Sequence, residues 1–230
     1  KLDSDFPISG ILLNVGANDY KLVIVTHHIA TDGWSTAIFM NELLALYGAS
    51  IKGVNAGLKD LSIQYADYAN WQKENLDSGK VDKGTEYWLQ KLDNVQALDF
   101  PTDFPRPAVM STNGNTLHFE IEKTISDKLI ALSNESATTM NMTCMALFKV
   151  LLHKYSQQED ICVGIPVTNR GHVETSPLIG FFVNSLAIRS NLSEDSTFNE
   201  LLQQVKQTTL EAMEYQDVPF ERLIDKLDEK

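Results

Sequence analysis

The stretch VTHHIATDGWS, Val25 to Ser35, sets two adjacent histidines at the end of an apolar run, then an aspartate four residues after the second, then a glycine. Upstream, Ile11 to Val15 and Lys21 to Ile29 are short apolar runs separated by a turn-rich segment containing GAND, the pattern of a β-hairpin whose second strand ends at the histidines. Alternation puts Leu22, Ile24, Thr26 and His28 on one face and Val23, Val25 and His27 on the other. The imidazoles then point in opposite directions. Both faces are otherwise apolar, so the strand is expected to be covered on both sides. Strand neighbours diverge, which disfavours a metal held by both histidines. The chain also has no G-x-S-x-G turn to expose a serine nucleophile. Two readings are left: core histidines satisfied by backbone, or one histidine facing a cavity with imidazole chemistry available near neutral pH.

Asp32 is placed to cap a helix from about Gly33 to Tyr47, to orient an imidazole, or to pair with a distant arginine. A buried carboxylate left alone costs several kcal/mol, roughly, so a partner is expected. Arg189 closes the otherwise apolar strand LIGFFVNSLAIR and needs a partner too. An Asp32–Arg189 pair pinning the histidine loop answers both needs. Gly33 is expected to serve a tight turn or a close approach of another segment.

Farther along, Leu61 to Asn75, Asp82 to Leu92, Ser126 to Ala137, Asn141 to Tyr155 and Phe198 to Met213 read as helices. TLHFEIE (116–122) alternates as a strand, DICVGIPV (160–167) reads as a buried strand, and TNRGHVETSP (168–177) as a loop. A turn at Pro219 precedes a short charged helix. The proline-rich LDFPTDFPRPAVMSTNGN cannot hold a regular helix and is the natural boundary. The expected organisation is α+β: a first lobe at 1–98, a crossover at 99–115 and a second lobe at 116–230.

Composition excludes several function classes. The 230 residues are 43% hydrophobic, with 19 basic against 31 acidic side chains for a net charge of −12. That balance repels nucleic acid and anionic lipid. No apolar run reaches membrane-spanning length and no signal pattern opens the sequence, so a soluble, cytoplasmic setting is expected. Cys144 and Cys162 sit in apolar surroundings without metal-ligand spacing and read as buried reduced thiols. No metal is expected.

HHIATDGWS carries the H-H-x-x-x-D-G signature of the chloramphenicol acetyltransferase-like acyltransferases and, among them, resembles the condensation domains of nonribosomal peptide synthetases. Three further motifs of that family follow in its order: YADYANW (Tyr65 to Trp71), IGFFVNSLAIR (Ile179 to Arg189) and YQDVPFE (Tyr215 to Glu221). The resemblance implies a V-shaped, two-lobed fold and amide-bond formation between carrier-tethered thioesters. A downstream aminoacyl group attacks the upstream acyl or peptidyl thioester. Both arrive on phosphopantetheine arms through a tunnel between the lobes, with no cofactor bound directly. The implied partners are upstream and downstream peptidyl carrier domains and an adjacent adenylation domain, with no nucleic acid and no membrane.

The same resemblance implies that His28 stands at the reaction centre, as general base or to position the amine. His27, Asp32 and Arg189 support the site, Gly33 lines the amine-binding region, and Asn184 approaches the tunnel. Retained histidines set the chain apart from cyclising relatives. The family's first two motifs and its last are absent, so the expectation is a central fragment with a truncated first lobe, inactive by itself. Alternatives are another acyltransferase of the superfamily, using coenzyme A or an acyl carrier, and a non-catalytic platform for carriers.

Overall fold

The computed structural model describes residues 2–193 and 195–228. They divide into two compact units, residues 1–83 with 166–184, and residues 84–165 with 185–230. The proline-rich stretch 99–115 lies inside the second unit.

The first unit begins with a hairpin, β1 (Ile8–Gly16) and β2 (Asp19–Thr26), antiparallel from Ile8 opposite Thr26 to Asn14 opposite Tyr20, with a bulge before the two-residue turn. Asn18 takes φ 61° there, a left-handed position that asparagine tolerates. The hairpin is exposed along nearly its whole length, contrary to the two-sided cover expected from its apolar faces. Nine apolar side chains between Ile8 and Val25 each exceed 40% exposure, an apolar surface of the kind that seeks a partner.

β2 stops at Thr26, directly before the histidines; His28 opens a 3-10 turn, His28–Ala30, and His27 is its N-cap. Strand alternation therefore does not set where their side chains point. After the turn, α1 (Gly33–Lys52) runs five residues beyond Tyr47 and ends at Gly53, whose φ of 66° suits a residue without Cβ. α2 (Tyr65–Asp77) starts from a capping box between Gln64 and Asp67. Its inward face places Tyr68 against Leu178 and Phe182 of the returning segment, the small core of this unit.

The second unit contains α3 (Asp82–Lys91, entering at Gly84), α4 (Lys123–Glu135), α5 (Met140–Ser156), β3 (Asp160–Val167), β4 (Asn184–Asn191), α6 (Phe198–Glu214) and α7 (Phe220–Asp228). β3 leaves the unit after Ile165, and β4 re-enters it at Ser185. The two strands form one two-stranded sheet, closed where Leu192 N–H donates to the Glu159 carbonyl. Ala146 and Leu152 of α5, Ile161, and Leu202 and Val205 of α6 make the core. The helices of this unit fall within about three residues of the ranges expected from periodicity, because a 3.6-residue repeat is internal to each segment.

TLHFEIE is the exception: 116–122 has neither strand nor helix and is exposed. Alternation defines two faces but supplies no hydrogen-bonding partner, and among the described residues no strand pairs with it. Cys144 is likewise exposed and Cys162 half-buried, so only the second approaches the expected burial, which pushes its thiol pKa up. Cys144 lies on α5 outside that helix's buried set.

Candidate active site

His27 has its backbone N–H on the Pro7 carbonyl at 2.7 Å, and its Nδ1 accepts the Ile29 N–H at 3.0 Å. It thereby caps the 3-10 turn and has one ring nitrogen committed. His28 is exposed, and among the described residues no hydrogen bond reaches its ring. Its neighbour is the Phe181 ring, edge-on with centroids 5.4 Å apart and planes at 87°. The unlike fates of the two histidines arise from a cap and a ring contact, not from the strand alternation expected to separate them.

Asp32 is the N-cap of α1, its Oδ1 accepting the Ser35 N–H at 2.8 Å. Its charge is answered by Arg170, whose Nη2 lies 3.2 Å from Oδ1 and 3.3 Å from Oδ2, with both side chains essentially buried. The expected Asp32–Arg189 pair is thus corrected. Arg189 instead forms a two-pronged pair with Asp160, Nε to Oδ1 at 2.8 Å and Nη2 to Oδ2 at 2.7 Å, and donates to the Lys91 and Asp93 carbonyls. Each arginine found a carboxylate in its own unit.

Arg170 does more than neutralise. Its Nη1 donates to the Thr175 and Leu178 carbonyls, its Nη2 also reaches Ser35 Oγ at 2.8 Å, and its Cζ sits 3.8 Å over the Phe182 ring. Burial pushes the Asp32 pKa up, but bonds from Ser35 and from the Phe182 N–H, with the Arg170 guanidinium, outweigh it and hold the carboxyl below its ordinary value. The carboxylate is therefore engaged by Ser35, Phe182 and Arg170 and holds the loop in shape. Ser35 Oγ donates to the Gly180 carbonyl at 2.9 Å and accepts the Gly180 N–H at 3.1 Å. Sequence reasoning missed Arg170 and Ser35. The available signals were a basic residue within the loop 168–177, and a serine at the third position past the cap.

Gly33 opens α1 with no heavy atom within 4 Å of where a Cβ would stand, so neither a tight turn nor a close approach explains it. Gly180 is the crowded one: a Cβ there would collide with the Tyr65 ring. Asn184, the first residue of β4, is buried. Arg189 belongs to the second unit, whereas His27, His28, Asp32, Gly33 and Asn184 belong to the first.

The condensation-domain family profile matches residues 1–230. The chain belongs to the condensation-domain family. Curated relatives include a linear gramicidin synthase polypeptide from Brevibacillus parabrevis, 43% identical over 218 residues, and tyrocidine synthase 3 from the same organism, 41% identical over 217. Each alignment takes in 94% of this chain and 3% of the relative, so the chain spans a small part of the length of the synthetases it matches. Among solved structures, the X-domain of teicoplanin biosynthesis in complex with OxyB superimposes with a TM-score of 0.91 at 27% identity, over 99% of this chain and 51% of that one. A four-domain nonribosomal peptide synthetase bound to AMP and glycine gives 0.83 at 25% identity, over 96% of this chain and 16% of that one. The condensation fold, α+β and chloramphenicol acetyltransferase-like, is that of this chain. Among the described residues no helix is long and apolar enough to cross a membrane.

Proposed function

We propose that this chain is part of a cytoplasmic peptide synthetase and that its site forms an amide bond between two carrier-tethered thioesters, with His28 at the reaction centre. The observation that carries the reading is the division between the histidines. His27 has a ring nitrogen committed to the Ile29 N–H, while the exposed His28 ring makes no hydrogen bond among the described residues, within an intact H-H-x-x-x-D-G stretch.

In the reaction, the amine nitrogen of a downstream aminoacyl thioester attacks the carbonyl carbon of the upstream acyl or peptidyl thioester. The C–N bond forms, the tetrahedral centre collapses with loss of the C–S bond, and the proton shed by the amine ends on the departing thiol. His28 accepts that proton or holds the amine by a hydrogen bond. A general base in this role contributes roughly 10²–10⁴-fold. Asp32 has no chemical step: with Arg170 it fixes the turn that presents His28. Gly33, with open space beside it, leaves room for the amine. The groups that deliver the substrates are phosphopantetheine arms on upstream and downstream peptidyl carrier domains, with an adenylation domain adjacent. Residues 1–98 and 116–230 are then sequence portions of the family's two lobes, with bounds unlike those of the compact units; Asn184 and Arg189 fall in the second portion.

A platform role, in which the chain presents a surface to a partner protein, draws support from the X-domain solved in complex with OxyB. One experiment separates the two. The full-length protein, mixed with an acyl-loaded upstream carrier and an aminoacyl-loaded downstream carrier, is expected to yield the amide on the downstream carrier by intact-protein mass spectrometry. Partner capture without any amide product would favour the platform.

A further inference from the structure

We infer that Tyr65 and Phe181 form a positioning device for His28, an inference that rests on the reading of His28 as the reaction centre. The tripeptide Gly180–Phe181–Phe182 is tied down at four backbone groups. Ser35 Oγ takes the N–H and the carbonyl of Gly180, the Tyr65 hydroxyl donates to the Phe181 carbonyl at 2.7 Å, and Asp32 Oδ2 accepts the Phe182 N–H at 3.1 Å. The Tyr65 ring also packs edge-on against Phe182 at 5.2 Å and fills the space where a side chain on Gly180 would stand. Phe182 itself is buried against Tyr68 and Leu178.

Of the three residues, Phe181 alone sends an exposed side chain outward, and its ring is the one set edge-on to His28. Such ring pairs have a preferred geometry, which biases an otherwise unbonded ring toward one rotamer. The first residue of α2 thus sets the Phe181 backbone, and the Phe181 ring sets the imidazole. Among the described residues no hydrogen bond or ring pair joins Tyr65 to His28. It acts at one remove, through a carbonyl 116 residues away in the chain.

The test uses the full-length protein and the variants Tyr65→Phe and Phe181→Leu. The first readout is the rate at which diethyl pyrocarbonate modifies His28, followed by peptide mass mapping, with His27 in the same peptide region as an internal reference. The second is the single-turnover rate of peptide transfer between loaded carriers, measured beside His28→Ala. Both variants are expected to raise the His28 modification rate about twofold or more relative to His27 and to slow transfer roughly tenfold to a hundredfold, the cost of misplaced reacting groups. An unchanged ratio of His28 to His27 modification overturns the device whatever happens to transfer. A changed ratio with normal transfer, when His28→Ala is inactive, also overturns it. Normal transfer in His28→Ala overturns the reading of His28 instead, and equal acceleration at both histidines marks loss of fold and rejects a specific role.

Discussion

Each unit buries a cation, and the two are accommodated in opposite ways. In the first, Arg170 lies against the Asp32 carboxylate with both charges out of water. In the second, Lys149 of α5 is fully buried and donates to the Ile161 carbonyl at 3.2 Å, the Ile188 carbonyl at 2.6 Å and Ser190 Oγ at 2.8 Å, none of them a carboxylate. Three ammonium protons meet three oxygens. Arginine keeps its charge at any ordinary pH and so requires an anion, whereas lysine can lose its proton when burial becomes too costly. Burial pulls the Lys149 pKa down from 10.5 to about 8. The first arrangement is a switch-free anchor and the second a titratable clamp across β3 and β4.

The largest effect should come from breaking the anchor. Asp32→Asn leaves Arg170 buried without its anion, at a cost of about 3–5 kcal/mol. Amide hydrogen exchange should show it as lost protection at Ser35 and Phe182, whose N–H groups end on Asp32. Retained protection at both would mean that the pair is dispensable. Next, Lys149→Met removes three donors while keeping an apolar stem, and the oxygens left behind should cost about 1–3 kcal/mol in urea unfolding at pH 7.

Gly180→Ala should destabilise by a similar or smaller amount, about 1–3 kcal/mol, because the new methyl has to push the Tyr65 ring aside. Gly33→Ala meets open space and should change stability by less than about 0.5 kcal/mol, read by the same unfolding curves. Equal effects at the two glycines would contradict the packing around Tyr65.

The gentlest test is pH, and the two units should respond in separate windows. The Asp32 pKa is lowered on folding, so its contribution is present above the ordinary carboxylate value of 3.8 and is lost as pH falls below it. The Lys149 pKa is also lowered, but here the charged form is the one burial disfavours. Between about pH 8 and 10.5 the unfolded chain holds a proton that the folded chain has released, so stability should rise with pH across that window. Lys149→Met should abolish the rise. Equal slopes in the parent protein and in Lys149→Met across that range would place the Lys149 titration elsewhere.

What could be read in the sequence follows the range of the interactions. The Asp32 cap was legible because it closes on Ser35, three residues away, and β3 was legible because Asp160–Val167 is a nearly unbroken apolar run. The ion partner of Asp32 was not, since nothing local singles out Arg170 and the choice depends on which segment returns beside α1, 138 residues later. Arg189 closes an apolar strand and drew the assignment, yet Asp160 lies across the short sheet from it. The histidine geometry failed for another reason. Composition extended β2 through Ile29, but the His27 ring competes for the Ile29 N–H and turns the chain one residue after the strand ends. The Tyr65 motif was visible within an expected helix, while the use of its hydroxyl depends on where Phe181 is brought.

The most direct test of the account is the single-turnover transfer rate of His28→Ala in the full-length protein, set beside His27→Ala and read with both carriers loaded. A loss of roughly 10²–10⁴-fold at His28, with a clearly smaller loss at His27, is the expected result. Unchanged transfer in His28→Ala, or equal losses at the two histidines, would contradict it.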